Sequence, residues 1–138
     1  MTKSLDGKVI QQVRIADDKK AILFVTDKGE VIAKCDGDCC SSTWIEHLSL
    51  PAYGLPARVI SVENLNMPDL GSPDECDVIA YYGCKIVTDK GDLVIDYRNE
   101  SNGYYGGGLS WPDGSYFYGG VYGQNVSTQQ WQDVNEDI

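Results

Sequence analysis

Phe24-Val25-Thr26-Asp27-Lys28-Gly29-Glu30-Val31-Ile32 returns, little changed, as Ile86-Val87-Thr88-Asp89-Lys90-Gly91-Asp92-Leu93-Val94-Ile95. Each copy is an apolar, β-branched run broken by Asp-Lys-Gly, where glycine supplies the positive φ that a tight turn demands. Two hairpins of the same design are therefore expected. With Lys28-Gly29 as central turn residues, Thr26 faces Val31, Phe24 faces Ala33 and Ile22 faces Cys35, and these six share one apolar face. Val25, Ile32, Leu23 and Lys34 fall on the other. The same register in the second copy pairs Thr88 with Leu93, Ile86 with Ile95 and Cys84 with Tyr97. It places Cys35 and Cys84 on matching rungs.

Working outward, Lys8 to Ile15 reads as a first strand and Asp17-Asp18-Lys19 as a polar turn. Thr43-Trp44-Ile45-Glu46 has the spacing of a capping box and predicts a short helix through Leu50, stopped by Pro51. Ala57 to Val62, Val78 to Thr88 and Leu93 to Arg98 read as further strands. Tyr104 to Trp111 and Ser115 to Tyr122 flank Pro112-Asp113-Gly114 as a third hairpin. Five of the nine tyrosines (Tyr104, Tyr105, Tyr116, Tyr118 and Tyr122) concentrate there. The segment from Gln124 is polar and predicts a helical turn around Trp131. The fold class expected is α+β and predominantly antiparallel. It is a twisted sheet or partly open barrel of seven to eight strands with one short helix, forming a single domain over residues 1–138 with 124–138 as an acidic tail.

The 138 residues carry a net charge of −10. Arg98 is the last cation, and Asp69, Asp74, Glu75 and Asp77 form an acidic run with no cation among them. Nucleic-acid binding needs cationic groups to replace phosphate counterions, so direct binding is disfavoured and a partner with a basic surface is favoured. No apolar run approaches the ~20 residues of a membrane span. Met1 to Lys8 lacks the apolar core of a signal peptide, and a cytoplasmic location is expected.

Five cysteines and a single histidine define the candidate chemistry. An odd thiol count without a secretion signal disfavours a disulfide framework. Zinc takes four ligands drawn mainly from thiolate and imidazole. Cys35, Cys39, Cys40 and His47 are dense enough to supply them, with Cys84, brought in by the sheet, or Cys76 to complete the site. Buried free thiols are the alternative. A Cys–His nucleophile would have to use His47, and the local signature of a cysteine protease is missing. Asp36-Gly37-Asp38 lacks the remaining ligands of a calcium loop, and Gly106-Gly107-Gly108 lacks the lysine of a phosphate cradle. The tyrosine-rich stretch suits sheet packing or a protein contact. The partner-binding candidates are Asp69, Asp74, Glu75, Asp77, Tyr104, Tyr105, Asp113, Tyr116 and Tyr118.

At Asp38-Cys39-Cys40, the repeated sheet-turn unit and Glu100-Ser101-Asn102-Gly103-Tyr104-Tyr105, the chain resembles a family of small domains of phages, prophages and their bacterial hosts. The resemblance runs from about Gly7 to Trp111. It implies fold and context, a bacterial cytoplasm among them, without an activity. With the acidity, it makes the chain similar to counter-defence proteins such as anti-CRISPR proteins. The expectation is a zinc-stabilised, non-enzymatic inhibitor that binds a basic surface of a host nucleic-acid-targeting nuclease and blocks DNA binding; the alternative is a zinc-stabilised structural or regulatory interaction module without such a target.

Overall fold

The computed structural model describes residues 2–37, 41–66, 78–101, 107–113, 122–123 and 130–138. Among these residues ten strands follow one another: β1 (Val9–Ala16), β2 (Ala21–Thr26), β3 (Gly29–Gly37), β4 (Ser42–Ser49), β5 (Ala57–Asn66), β6 (Val78–Thr88), β7 (Gly91–Ser101), β8 (Gly107–Ser110), β9 (Tyr122–Gly123) and β10 (Trp131–Asp133). They form an open antiparallel sheet in the order β4-β7-β6-β5-β1-β2-β3-β8, with β9 on β3 and β10 on β1. No helix among the described residues is long and apolar enough to cross a membrane.

That order is the same from either end if β1 to β4 exchange labels with β5 to β8. The chain is an internal duplicate. β1, β2 and β3 correspond to β5, β6 and β7, and β1 meets β5 at the centre, pairing Val9 with Arg58 and Ile10 with Ala57. The fourth strand of each half crosses over. β4 pairs with β7 of the second half, and β8 pairs with β3 of the first.

The repeated turns carry one bonding pattern. The Thr26 hydroxyl donates to the Gly29 carbonyl at 2.6 Å and accepts from the Lys28 amide at 3.1 Å. Thr88 makes the same two bonds with Gly91, at 2.5 Å, and Lys90, at 3.1 Å. Thr26 therefore pairs with Gly29, and Thr88 with Gly91. The turns are centred on Asp27-Lys28 and Asp89-Lys90, and the expected register is corrected by two residues. A slip of two preserves which side chains share a face. Ile22, Phe24, Thr26, Val31, Ala33 and Cys35 are all buried together as expected. The rungs do change. Cys84 pairs with Ile95, a rung equivalent to Ile22 with Ala33, whereas the Cys35 amide bonds the Lys20 carbonyl one core rung further on. The two thiols are not on matching rungs.

The expected helix at Thr43–Leu50 is a strand. Thr43 and Ile45 are buried in strand alternation, and Leu48 then follows at a distance of three instead of two. An extra residue causes this: Ile45 faces Tyr97 and His47 faces Asp96, so β4 bulges at Glu46. A bulge shifts side-chain phase by one residue and here imitates helical spacing. Around Trp131 the expected helical turn is also replaced by a strand. β10 pairs with Arg14–Ala16, the Val134 amide bonds the Val13 carbonyl at 2.9 Å, and Ile138 exchanges two backbone bonds with Leu48. Of the third expected hairpin, Tyr104 to Gly106 and Gly114 to Val121 lie outside the described residues; β8 and β9 each pair with β3.

One apolar cluster fills the inner face, drawing Ile10, Val13, Phe24, Ile45, Leu48, Ile86, Ile95, Tyr97, Leu109 and Val134 from both halves. Phe24 stacks on Trp111 with ring centres 5.9 Å apart. Burying this many branched and aromatic side chains is the main favourable term in the fold.

Candidate functional site

On the outer face of β4, β7 and β6 the strands set Trp44 opposite Arg98 and Arg98 opposite Tyr81. The next rung sets His47 opposite Asp96 and Asp96 opposite Gly83. The Arg98 guanidinium lies over the Tyr81 ring, 4.8 Å from its centre. It approaches Asp96 at 3.5 Å and Glu46 at 3.7 Å. The Trp44 indole N–H donates to the Glu46 carboxylate at 2.7 Å. The bulge that spoils the helix is what turns Glu46 toward this cluster.

The two carboxyls are tuned in opposite directions. Trp44's hydrogen bond, aided by Arg98, lowers the Glu46 pKa. Burial raises that of Asp96 although Arg98 and His47 oppose it. Asp96 is 8% exposed. Its Oδ1 and Arg98 Nε have no hydrogen-bond partner among the described residues. Beside Gly83 there is no side chain to compete with Asp96 for space. The cluster fastens the exchanged strand β4 to the second half with a cation, an aromatic face and two carboxylates.

The expected metal ligands do not gather here. Cys35 and Cys84 are fully buried on the inner face, whereas His47 is exposed on β4. Burial pushes the Cys84 thiol up to about 12, which opposes the thiolate a metal requires. Tyr97 neighbours both thiols, and its hydroxyl is shifted upward by burial and then by them. No three of His, Cys, Asp and Glu converge among the described residues. These three side chains do not fit one zinc ion; Cys39 and Cys40 lie outside the described residues.

Of the partner-binding candidates, Asp113 is described. Its carboxylate accepts from the Thr2 hydroxyl at 2.9 Å and the Lys3 amide at 2.8 Å, so it anchors the N-terminal segment. Asp69, Asp74, Glu75, Asp77, Tyr104, Tyr105, Tyr116 and Tyr118 lie outside the described residues. A cavity of about 400 Å³ lined by Ile32, Lys34, Ser110, Trp111 and Pro112 opens at the β3–β8 edge. Trp111 Nε1 is buried without a hydrogen-bond partner among the described residues.

Residues 3–111, which hold both halves of the duplicate, match a family described as a domain of unknown function, DUF7448. The chain belongs to DUF7448. The match ends one residue after β8, so it takes in the eight strands of the duplicate, and β9 and β10 lie beyond it. No curated protein and no solved structure matches this DUF7448 chain.

The Trp44–Glu46–Arg98–Tyr81 cluster is hidden in the sequence because a helical Glu46 has no reason to meet Arg98. The available signal was period-two burial at Thr43 and Ile45.

Proposed function

We propose that this DUF7448 protein acts by binding, not catalysis, and that its partner presents a cationic surface. The observation that carries this is the distribution of charge. Every carboxylate whose burial is described, Glu46 and Asp96 apart, is exposed, with an overall charge of −10. Meanwhile Arg14, Lys85 and Arg98 face Asp133, Glu63, and the pair Glu46 and Asp96. Such a surface accelerates encounter with a basic protein and repels nucleic acid.

The partner class proposed is a host nucleic-acid-targeting nuclease whose cationic channel the chain would occupy, as an anti-CRISPR-like inhibitor of DNA binding. Co-purification with a panel of Cas nucleases, followed by competition against labelled target DNA, tests it. The expected result is capture at low salt, weakening steeply as salt rises, with loss of DNA binding. Failure to capture any nuclease in the panel overturns the nuclease assignment. Capture of a basic protein unconnected to nucleic acid would favour a regulatory interaction module.

A further inference from the structure

The duplication gives a template for a second strand-binding edge. In the first half, β1 leaves β5 after Ile10, and its exposed edge takes β10. Arg14 faces Asp133, Ile15 faces Gln132 and Ala16 faces Trp131. The Val13 carbonyl accepts from Val134 and the Asp17 amide donates to Gln130, both at 2.9 Å. Arg14 holds Asp133 at 3.0 Å.

The corresponding edge in the second half is β5. Thr26 and Thr88 are equivalent, and each faces the residue before a bulge: Ile10 in one case, Val59 in the other. Val13, Arg14, Ile15 and Ala16 therefore correspond to Val62, Glu63, Asn64 and Leu65. Among the described residues nothing pairs with this side of β5. The side chains agree with an edge left open among the described residues. Ile15, under β10, is 7% exposed, whereas Asn64 at the same place is exposed. The charge is reversed as well, since Glu63 stands where Arg14 stands.

We infer that the β5 edge from Val62 to Leu65 receives an extended segment of a partner protein, antiparallel to β5. That segment carries lysine or arginine opposite Glu63 and an apolar residue opposite Val62. The inference rests on the binding function proposed above and assigns it a surface. Backbone bonds give such a complex its affinity, and the side chains at alternate positions give its selectivity. Glu63 holds Lys85 at 3.4 Å and is half-exposed, so its carboxylate has room for a second cation. The chain's own Trp131–Val134 segment suits Arg14 and is repelled by Glu63.

The probe is the hexapeptide Gln-Trp-Gln-Lys-Val-Asn, the 130–135 sequence with lysine in place of Asp133, added to the full chain at low salt. Amide shifts in NMR are expected at Val62 to Leu65. Its affinity should exceed that of the unaltered hexapeptide about fivefold, the scale of a like-to-opposite cross-strand charge change. Glu63→Lys should reverse the preference. Shifts confined to Val13–Asp17, no shifts at millimolar peptide, or an unreversed preference overturn the inference. The two proposals fail separately. Capture of a cationic partner that Glu63→Lys leaves unweakened removes the edge and keeps the binding function. Peptide binding at the edge, with no cationic protein captured, keeps the edge and removes that function.

Discussion

Asp27 and Asp89 perform the same act on opposite sides of the central strand pair. The Asp27 amide donates to the Val9 carbonyl at 3.1 Å, and its carboxylate accepts from the Val9 amide at 2.9 Å. Asp89 does this to Arg58, at 3.1 and 2.8 Å. Val9 and Arg58 face each other, so both turns clamp one junction.

Removing either clamp is expected to loosen that junction. Asp27→Ala and Asp89→Ala should each lower stability by about 1–2 kcal/mol, with the asparagine variants costing less because they keep an acceptor oxygen. Because the clamped residues are paired, the double variant should depart from additivity by at least about 0.5 kcal/mol. Urea denaturation of the four chains gives the number; strict additivity would show the turns to be independent.

Gly29 and Gly91 have φ of 110° and 111°. A Cβ at Gly29 meets nothing within 4 Å, whereas one at Gly91 comes within 3.0 Å of the Ala52 backbone nitrogen. Both alanine variants should lose about 1 kcal/mol for the left-handed backbone. Gly91→Ala should lose at least about 1 kcal/mol more through the clash. Equal melting temperatures for the two variants would contradict the close approach of Ala52.

Burial raises Asp96 above its ordinary value of 3.8. The folded chain thus holds this proton more tightly than the unfolded chain does. The resulting stabilisation is complete below the unfolded pKa and lost as pH rises through the folded one. Glu46, lowered by Trp44, runs oppositely: its contribution is present above its unfolded pKa and lost as pH falls through the folded one. Asp96→Asn should remove the decline in stability with rising pH and keep the acid-side loss due to Glu46. Urea midpoints across the carboxylate range, compared with wild type, show whether the decline disappears.

Cys84 is 1% exposed and Cys35 wholly buried. Both should resist alkylation in the native chain and react on unfolding, as read by mass spectrometry. Cys84→Ser should cost about 1–3 kcal/mol by placing a hydroxyl in the core. It should also leave the zinc content, measured by atomic emission, unchanged from wild type. Loss of bound zinc in that variant would restore Cys84 as a ligand.

The repeated Thr-Asp-Lys-Gly stretch was enough to reveal paired hairpins and the face each would bury, because face depends only on residue parity. It could not reveal register, since closure by the Thr26 and Thr88 hydroxyls competes with glycine's preference for a central turn position. Thr43 to Leu50 misled because the bulge at Glu46 counterfeits helical spacing. Asp27 and Asp89 read as turn residues and Asp113 as a partner contact; each is a hydrogen-bond acceptor for backbone far away in sequence, which no local pattern encodes. For the same reason Glu46 and Arg98 were invisible as neighbours.

The crossing of β4 and β8 between halves has a further consequence. Two four-strand units that lend each other an edge strand have the geometry of a strand-swapped homodimer, here carried on one polypeptide. Covalent linkage turns their encounter into an intramolecular event at an effective concentration on the order of millimolar. Folding should therefore be insensitive to dilution. Linkage also frees the units from identity: an association between identical copies must change both of its surfaces together, whereas a tandem chain can keep Ile15 in one unit and place Asn64 in the other.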